Sequence, residues 1–122
     1  MTQPLALLLY EKLLPGSQLV NRLQDLGWRV QVIHDGSALE HAAEEHKPVL
    51  VFADLHGTQH PVCNAIHHLR KNKNTAHLPV IAFANDEAMS KTAVDAGASL
   101  VVSDTAILQH LDQFIDQALS DF

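Results

Sequence analysis

Short unbroken apolar runs alternate along this chain with longer stretches whose apolar residues recur at helical spacing. The clearest run is Val49-Leu50-Val51-Phe52-Ala53, which ends on the carboxylate of Asp54. A run of this length without a polar break predicts a strand buried on both faces, as in a parallel sheet covered by helices. Leu5 to Leu9 and Pro79-Val80-Ile81-Ala82-Phe83-Ala84 have the same character, and Leu100-Val101-Val102 is a shorter version. Trp28-Arg29-Val30-Gln31-Val32-Ile33 alternates apolar and polar residues, which predicts a half-exposed strand at a sheet edge.

The intervening segments read as helices. Leu19, Val20, Leu23 and Leu26 share one helical face, with a start near Pro15 or Ser17 and a stop at Gly27. Ser37 followed by Glu40 has the spacing of a capping box, opening a helix that turns Ala38, Leu39, Ala42 and Ala43 inward. That helix must end by Lys47, because a residue before proline disfavours helix. Pro61 opens a third helix with Cys63, Ile66 and Leu69 inward, and Asn85 or Asp86 caps a fourth that Gly97 ends. Ile107, Leu108, Leu111, Phe114, Ile115, Ala118, Leu119 and Phe122 predict one regular amphipathic helix at the end.

Five strands alternating with five helices imply right-handed βαβ crossovers. The expected fold is α/β, a five-stranded parallel sheet in the order 2-1-3-4-5 with helices on both faces, the flavodoxin-like arrangement. Residues 1–122 are read as one domain.

Composition adds limits. Hydrophobic residues make up 47% and charged residues 18%, which suits a globular domain. The net charge of −6 argues against a nucleic-acid footprint, which needs a clustered basic face. Cys63 is the sole cysteine, so no disulfide forms within the chain. No basic n-region precedes Leu5 to Leu9, and that run is too short to span a membrane. A soluble cytoplasmic protein is expected.

In open α/β sheets, ligands sit beyond the carboxyl ends of the strands where the strand order reverses. That rule gathers Tyr10, Glu11, His34, Asp54, Ala84, Asn85, Ser103 and Asp104 at one edge. Glu11 and Asp54 should lie closest, and two carboxylates there can hold a hard cation such as Mg2+.

These residues resemble the receiver domain of bacterial response regulators, the chemotaxis-regulator-like fold. Lys47 to Leu55 resembles the family's K-P-D-L-V-L-L-D-L around its phospho-accepting aspartate. Pro79 to Ala84 resembles its P-V-I-x-L-T, and Asp95-Ala96-Gly97-Ala98 its A-G-A turn. The resemblance implies Asp54 as the phospho-acceptor candidate. It also implies a metal site of Glu11, Asp54 and the backbone carbonyl of His56. Against the same pattern, Tyr10 stands at the first acidic position and Ala84 at the Thr or Ser that contacts the phosphoryl group. Val101 stands at the aromatic switch position. Asp104 replaces the lysine and Thr105 the proline after it, and Gly57-Thr58 replaces Met-Pro.

An aspartate in place of that lysine puts repulsion where a cation would pair with phosphoryl oxygens. The chain therefore reads as a degenerate, or pseudo-, receiver. Its expected action is binding a protein partner without phosphate, through the face of the fourth helix, fifth strand and last helix. A histidine kinase or a downstream signalling protein would be that partner, and homodimerisation through the same face is compatible with the reading. No enzymatic activity and no obligatory cofactor are expected, and Mg2+ would bind weakly. The alternative is a stand-alone response regulator phosphorylated on Asp54 with Mg2+.

Two side groups have competing readings. Asp104 is either a further metal ligand or, preferably, the N-cap of the last helix. Cys63 and His67, one helical turn apart, could be a nucleophile and base, but Cys63 is read as a core residue. The nine histidines show no zinc-type spacing.

Overall fold

The apolar runs are five parallel strands: β1 (Leu5–Leu9), β2 (Arg29–Ile33), β3 (Leu50–Asp54), β4 (Val80–Phe83) and β5 (Leu100–Val102). Their order is β2-β1-β3-β4-β5, as expected from the pattern. The computed structural model describes residues 4–9, 13–34, 36–55, 59–84 and 87–120. Among these residues six α-helices cover the sheet: α1 (Leu13–Asp25), α2 (Leu39–His46), α3 (Gln59–Lys71), α4 (Glu87–Ala96), α5 (Asp104–Gln109) and α6 (Leu111–Ser120).

Successive strand residues face opposite sides, so each buried strand feeds two cores. Leu7, Leu9, Val51, Ala53, Val80 and Ala82 pack with residues of α2, α3 and α4. Ala6, Leu8, Leu50, Phe52, Ile81 and Phe83 pack with residues of α1, α5 and α6. Every residue of β3 and β4 is buried, which explains the unbroken apolar sequence of β4 and of β3 as far as Ala53. At the β2 edge, Arg29 and Gln31 are exposed and Val30, Val32 and Ile33 half-buried, which accounts for the alternation.

Glycines close two helices by the same device. Gly27 (φ 88°) ends α1, its N–H donating to Gln24 O and that of Trp28 to Leu23 O. Gly97 (φ 121°) ends α4, its N–H donating to Val94 O and that of Ala98 to Ala93 O. Both patterns satisfy the last carbonyls of a helix by a left-handed turn.

Four helix boundaries depart from expectation. Helix α3 starts at Gln59, so Pro61 lies inside its first turn instead of opening it. Helix α1 starts at Leu13, so Pro15 lies inside its first turn, where no backbone donor is needed. A 3-10 turn, Gly36–Ala38, precedes α2; Ala38 occupies the N-cap with no side-chain hydrogen bond, and the expected Ser37 cap gives way to this tighter entry. The single last helix is two helices, broken at His110, whose φ of −125° leaves the helical range. Ile107, Leu111, Ile115 and Ala118 still reach one core cluster, so the apolar period runs through the break and hides it. No helix among the described residues is long and apolar enough to cross a membrane.

Candidate functional site

Asp54 is the last residue of β3, and its register partner on β4 is Phe83. It is 1% exposed, one of two buried polar or charged residues among those described, the other being Thr75. Leu55 continues the line, its N–H donating to Phe83 O at 3.0 Å. Ala84 follows β4 at the same edge, buried, and donates its N–H to Val102 O at 2.9 Å. These bonds carry the ladder past the strand ends and bring Asp54, Ala84 and the Ser103-Asp104 start of α5 to one end of the sheet.

The N-cap of α5 is Ser103, whose hydroxyl accepts from Ala106 N–H at 3.1 Å. Asp104 is the first helical residue instead, half-buried, which corrects the expectation that it caps. A carboxylate in a helix's first turn still complements the helix dipole. Val101 pairs with Ala82 and packs on the α2-α3-α4 side of the sheet, half-buried. His34 stands just past β2, exposed. Tyr10, Glu11 and His56 lie outside the described residues, as do Gly57, Thr58, Asn85 and Asp86.

This end of the sheet thus carries a buried carboxylate at the end of β3, a methyl group at 84 just past β4 and a second carboxylate at the start of α5. It offers an acceptor for a cation and no lysine at position 104 to pair with an anion. Among the described residues, no group of three or more His, Cys, Asp or Glu could hold a metal ion.

Cys63 sits in the core under α3, where burial raises its thiol pKa above the ordinary value, while His67 is exposed. The pair therefore does not form a nucleophile and base. His67 and His68 are both exposed, with ring centroids 6.4 Å apart.

One arrangement had no strong signal in the sequence. Arg70, in the last turn of α3, donates from Nε to Gly97 O (2.8 Å) and from Nη1 to Ala76 O (2.8 Å) and Leu78 O (2.5 Å). Its Nη2 donates to Ser99 Oγ at 3.1 Å, and that hydroxyl also accepts from Val80 N–H. One guanidinium so clasps the segment before β4 to the turn before β5. Desolvation lowers the Arg70 pKa from its ordinary value, and the five-donor fork of arginine suits several carbonyls at once. In the sequence, Arg70 opens the run Arg70-Lys71-Asn72-Lys73-Asn74, whose composition is that of a solvated helix end and loop.

No family model matches this chain, and no curated protein matches it. Solved structures do. A Chloroflexus aurantiacus protein named as a response regulator aligns with TM-score 0.88 at 16% identity, over 98% of this chain and 99% of its own. The receiver domain of a sensor histidine kinase from Pseudomonas aeruginosa, with magnesium in its active-site cleft, aligns with TM-score 0.87 at 17% identity, over 98% and 99%. A response regulator from Thermotoga maritima aligns with TM-score 0.79 at 19% identity, again over 98% and 99%. The chain has the receiver fold of the response regulators of two-component systems, along essentially its whole length.

Proposed function

We propose that this chain is a pseudo-receiver: a cytoplasmic signal-transduction module, residues 1–122, that engages a protein partner without needing phosphate. One observation carries the reading. At the sheet edge that holds buried Asp54, the two positions where hydroxyl and ammonium would meet a phosphoryl group are Ala84 and Asp104. A dianionic group on Asp54 would gain no hydrogen bond from residue 84 and would face a like charge from residue 104. Charge-assisted donors are what normally offset such a group. Val101 has no ring to swing in response.

The partner surface is the face of α4, β5 and the α5-α6 pair. Val94 is 55% exposed there, the largest exposure of any large hydrophobic residue described. A histidine kinase or a downstream signalling protein is the class of partner, and a second copy of the chain would use the same face. Charge reversals across that face should abolish a partner pull-down; an intact pull-down would count against the assignment.

The deciding experiment is amide NMR of the isotope-labelled protein, titrated with Mg2+ and then with beryllofluoride, a phosphoryl mimic. No shifts on adding the mimic are expected. Saturable shifts centred on Asp54 and spreading into β5 and α5 would overturn the reading.

They would support the second reading, a stand-alone response regulator phosphorylated on Asp54. Retention of that aspartate at the strand end, and the magnesium in the Pseudomonas aeruginosa receiver, favour it. In that case Asp54, Glu11 and the His56 carbonyl would hold Mg2+, whose charge would neutralise part of the phosphoryl group.

A further inference from the structure

The end of the sheet opposite Asp54 has a cavity that neither reading uses. Helix α2 runs out there into the start of β3, and residues 72–78 there lead into the start of β4. Between them lies a space of about 410 Å3. Its floor is apolar and buried, made by Ala43, Pro48 and Leu78. Glu44, Lys47 and His77 stand at the rim, all exposed. An apolar floor with a few polar groups, in this range of volume, is the usual form of a small-molecule site.

The rim charges are held apart. Glu44 and Lys47 have the spacing at which a helical anion and cation pair. Among the described residues, no ion pair joins them. Lys47 has left the helix: its φ of 49° and ψ of 61° are left-handed, a conformation unfavourable for a residue with a Cβ. Pro48 behind it forbids continuing the helix. The Glu44 carboxylate instead accepts from Asn72 Nδ2, which also donates to Glu40 Oε2 at 2.8 Å.

The walls are fixed before any ligand arrives. Asn72 ties the 72–78 segment to α2, and its Oδ1 accepts from Asn74 N–H at 2.9 Å. Buried Thr75 donates its hydroxyl to Leu69 O at 2.7 Å. Arg70 clamps the Ala76 and Leu78 carbonyls from behind. A site held in shape loses less entropy when it binds.

We propose that this cavity binds a small zwitterion of the α-amino-acid class. Its ammonium meets Glu44, its carboxylate meets Lys47 and His77, and an apolar side chain covers Pro48 and Leu78. Both charges of such a ligand find opposite charges that the protein does not neutralise against each other. A simple anion would meet Glu44, and a simple cation would meet Lys47.

Amide NMR titration of the whole chain with L-leucine tests this, with leucyl-leucine, N-acetyl-L-leucine and L-leucinamide as parallel arms. Saturable shifts at Ala43, Lys47, His77 and Leu78 are expected, with half-saturation on the order of 1 mM. Masking either end should weaken binding at least about tenfold, since each end makes a charge-assisted bond. Glu44→Gln and Lys47→Met should each weaken it by a similar factor while the rest of the spectrum stays in place. Whether L-leucine or leucyl-leucine binds more tightly identifies a free amino acid or a short peptide as the source, and either supports the site. Absence of saturable shifts up to roughly 20 mM would overturn it. So would masked ligands that bind as well as L-leucine, or shifts that survive both variants.

Discussion

A Cβ built on Gly97 would stand 2.5 Å from Cγ of Arg70, so the turn after α4 and this side chain from the last turn of α3 fit only because residue 97 has none. The same glycine has φ 121°, and its carbonyl accepts from Arg70 Nε at 2.8 Å. Backbone conformation, close approach and hydrogen bond all converge on one pair.

Gly97→Ala should therefore lose more stability than Gly27→Ala, the same change at the other described glycine with positive φ. Alanine at 97 meets both backbone strain and Arg70, a cost of roughly 2–4 kcal/mol. Gly27 has φ 88° with nothing within 4 Å of a Cβ, so Gly27→Ala meets the strain alone, roughly 1 kcal/mol. Urea unfolding of both variants measures the difference. Equal losses would mean that Arg70 simply moves aside.

Arg70→Met removes the donor to three carbonyls and to the Ser99 hydroxyl. A loss of about 2–4 kcal/mol is expected, since partly buried acceptors are left without it. Arg70→Lys should recover less than half of that, because an ammonium cannot reproduce the planar fork. The amides of Gly97, Ala98 and Ser99 should show the fastest hydrogen exchange in both variants.

Asp54→Asn should stabilise the fold. The side chain is buried at a sheet end that also receives Asp104, and the amide removes a desolvated charge without changing size. A gain of about 1 kcal/mol would raise the melting temperature by about 4 °C. A lower melting temperature would show that the carboxylate is held by compensating contacts and that like-charge crowding is absent.

If residues 84 and 104 are what silence the site, restoring them should awaken it. The double variant Ala84→Thr with Asp104→Lys should show saturable beryllofluoride-dependent shifts in Mg2+, where the natural chain is expected to show none. A silent double variant would locate the block elsewhere, with Tyr10 the next position to change.

Ser103→Ala should cost about 1 kcal/mol, the usual worth of an N-cap hydroxyl. Asp104→Ala should cost less than that, roughly 0.5 kcal/mol, because its carboxylate only complements the helix dipole. Thermal unfolding separates the two, and the reverse ranking would return the cap to Asp104.

Much of this architecture was legible in the chain itself. Strands buried on both faces must be apolar at every position, so β1, β3 and β4 stood out, and the alternation of β2 marked it as an edge. Gly27 and Gly97 marked helix ends because a left-handed turn favours glycine. The expected strand order was the doubly wound one that puts the alternating β2 at an edge, and it carried Asp54, Ala84 and Asp104 to one end. These features rest on local period and on rules of chain connection, which sequence records directly.

What only the tertiary structure decided depends on partners far apart in the chain. Arg70 looks solvated until the turn 27 residues away folds onto it. Ser103 and Asp104 are equally good caps by type, and backbone direction at the end of β5 chose Ser103. The break at His110 leaves the apolar spacing intact, so no pattern reports it. The cavity beside α2 lies between segments that Asn72 joins by reaching back to Glu40 across 32 residues, where Lys47 leaves the helix in a left-handed turn. Side-chain period reveals which face of an element is buried; it carries no information about which polar group on another element that face will meet.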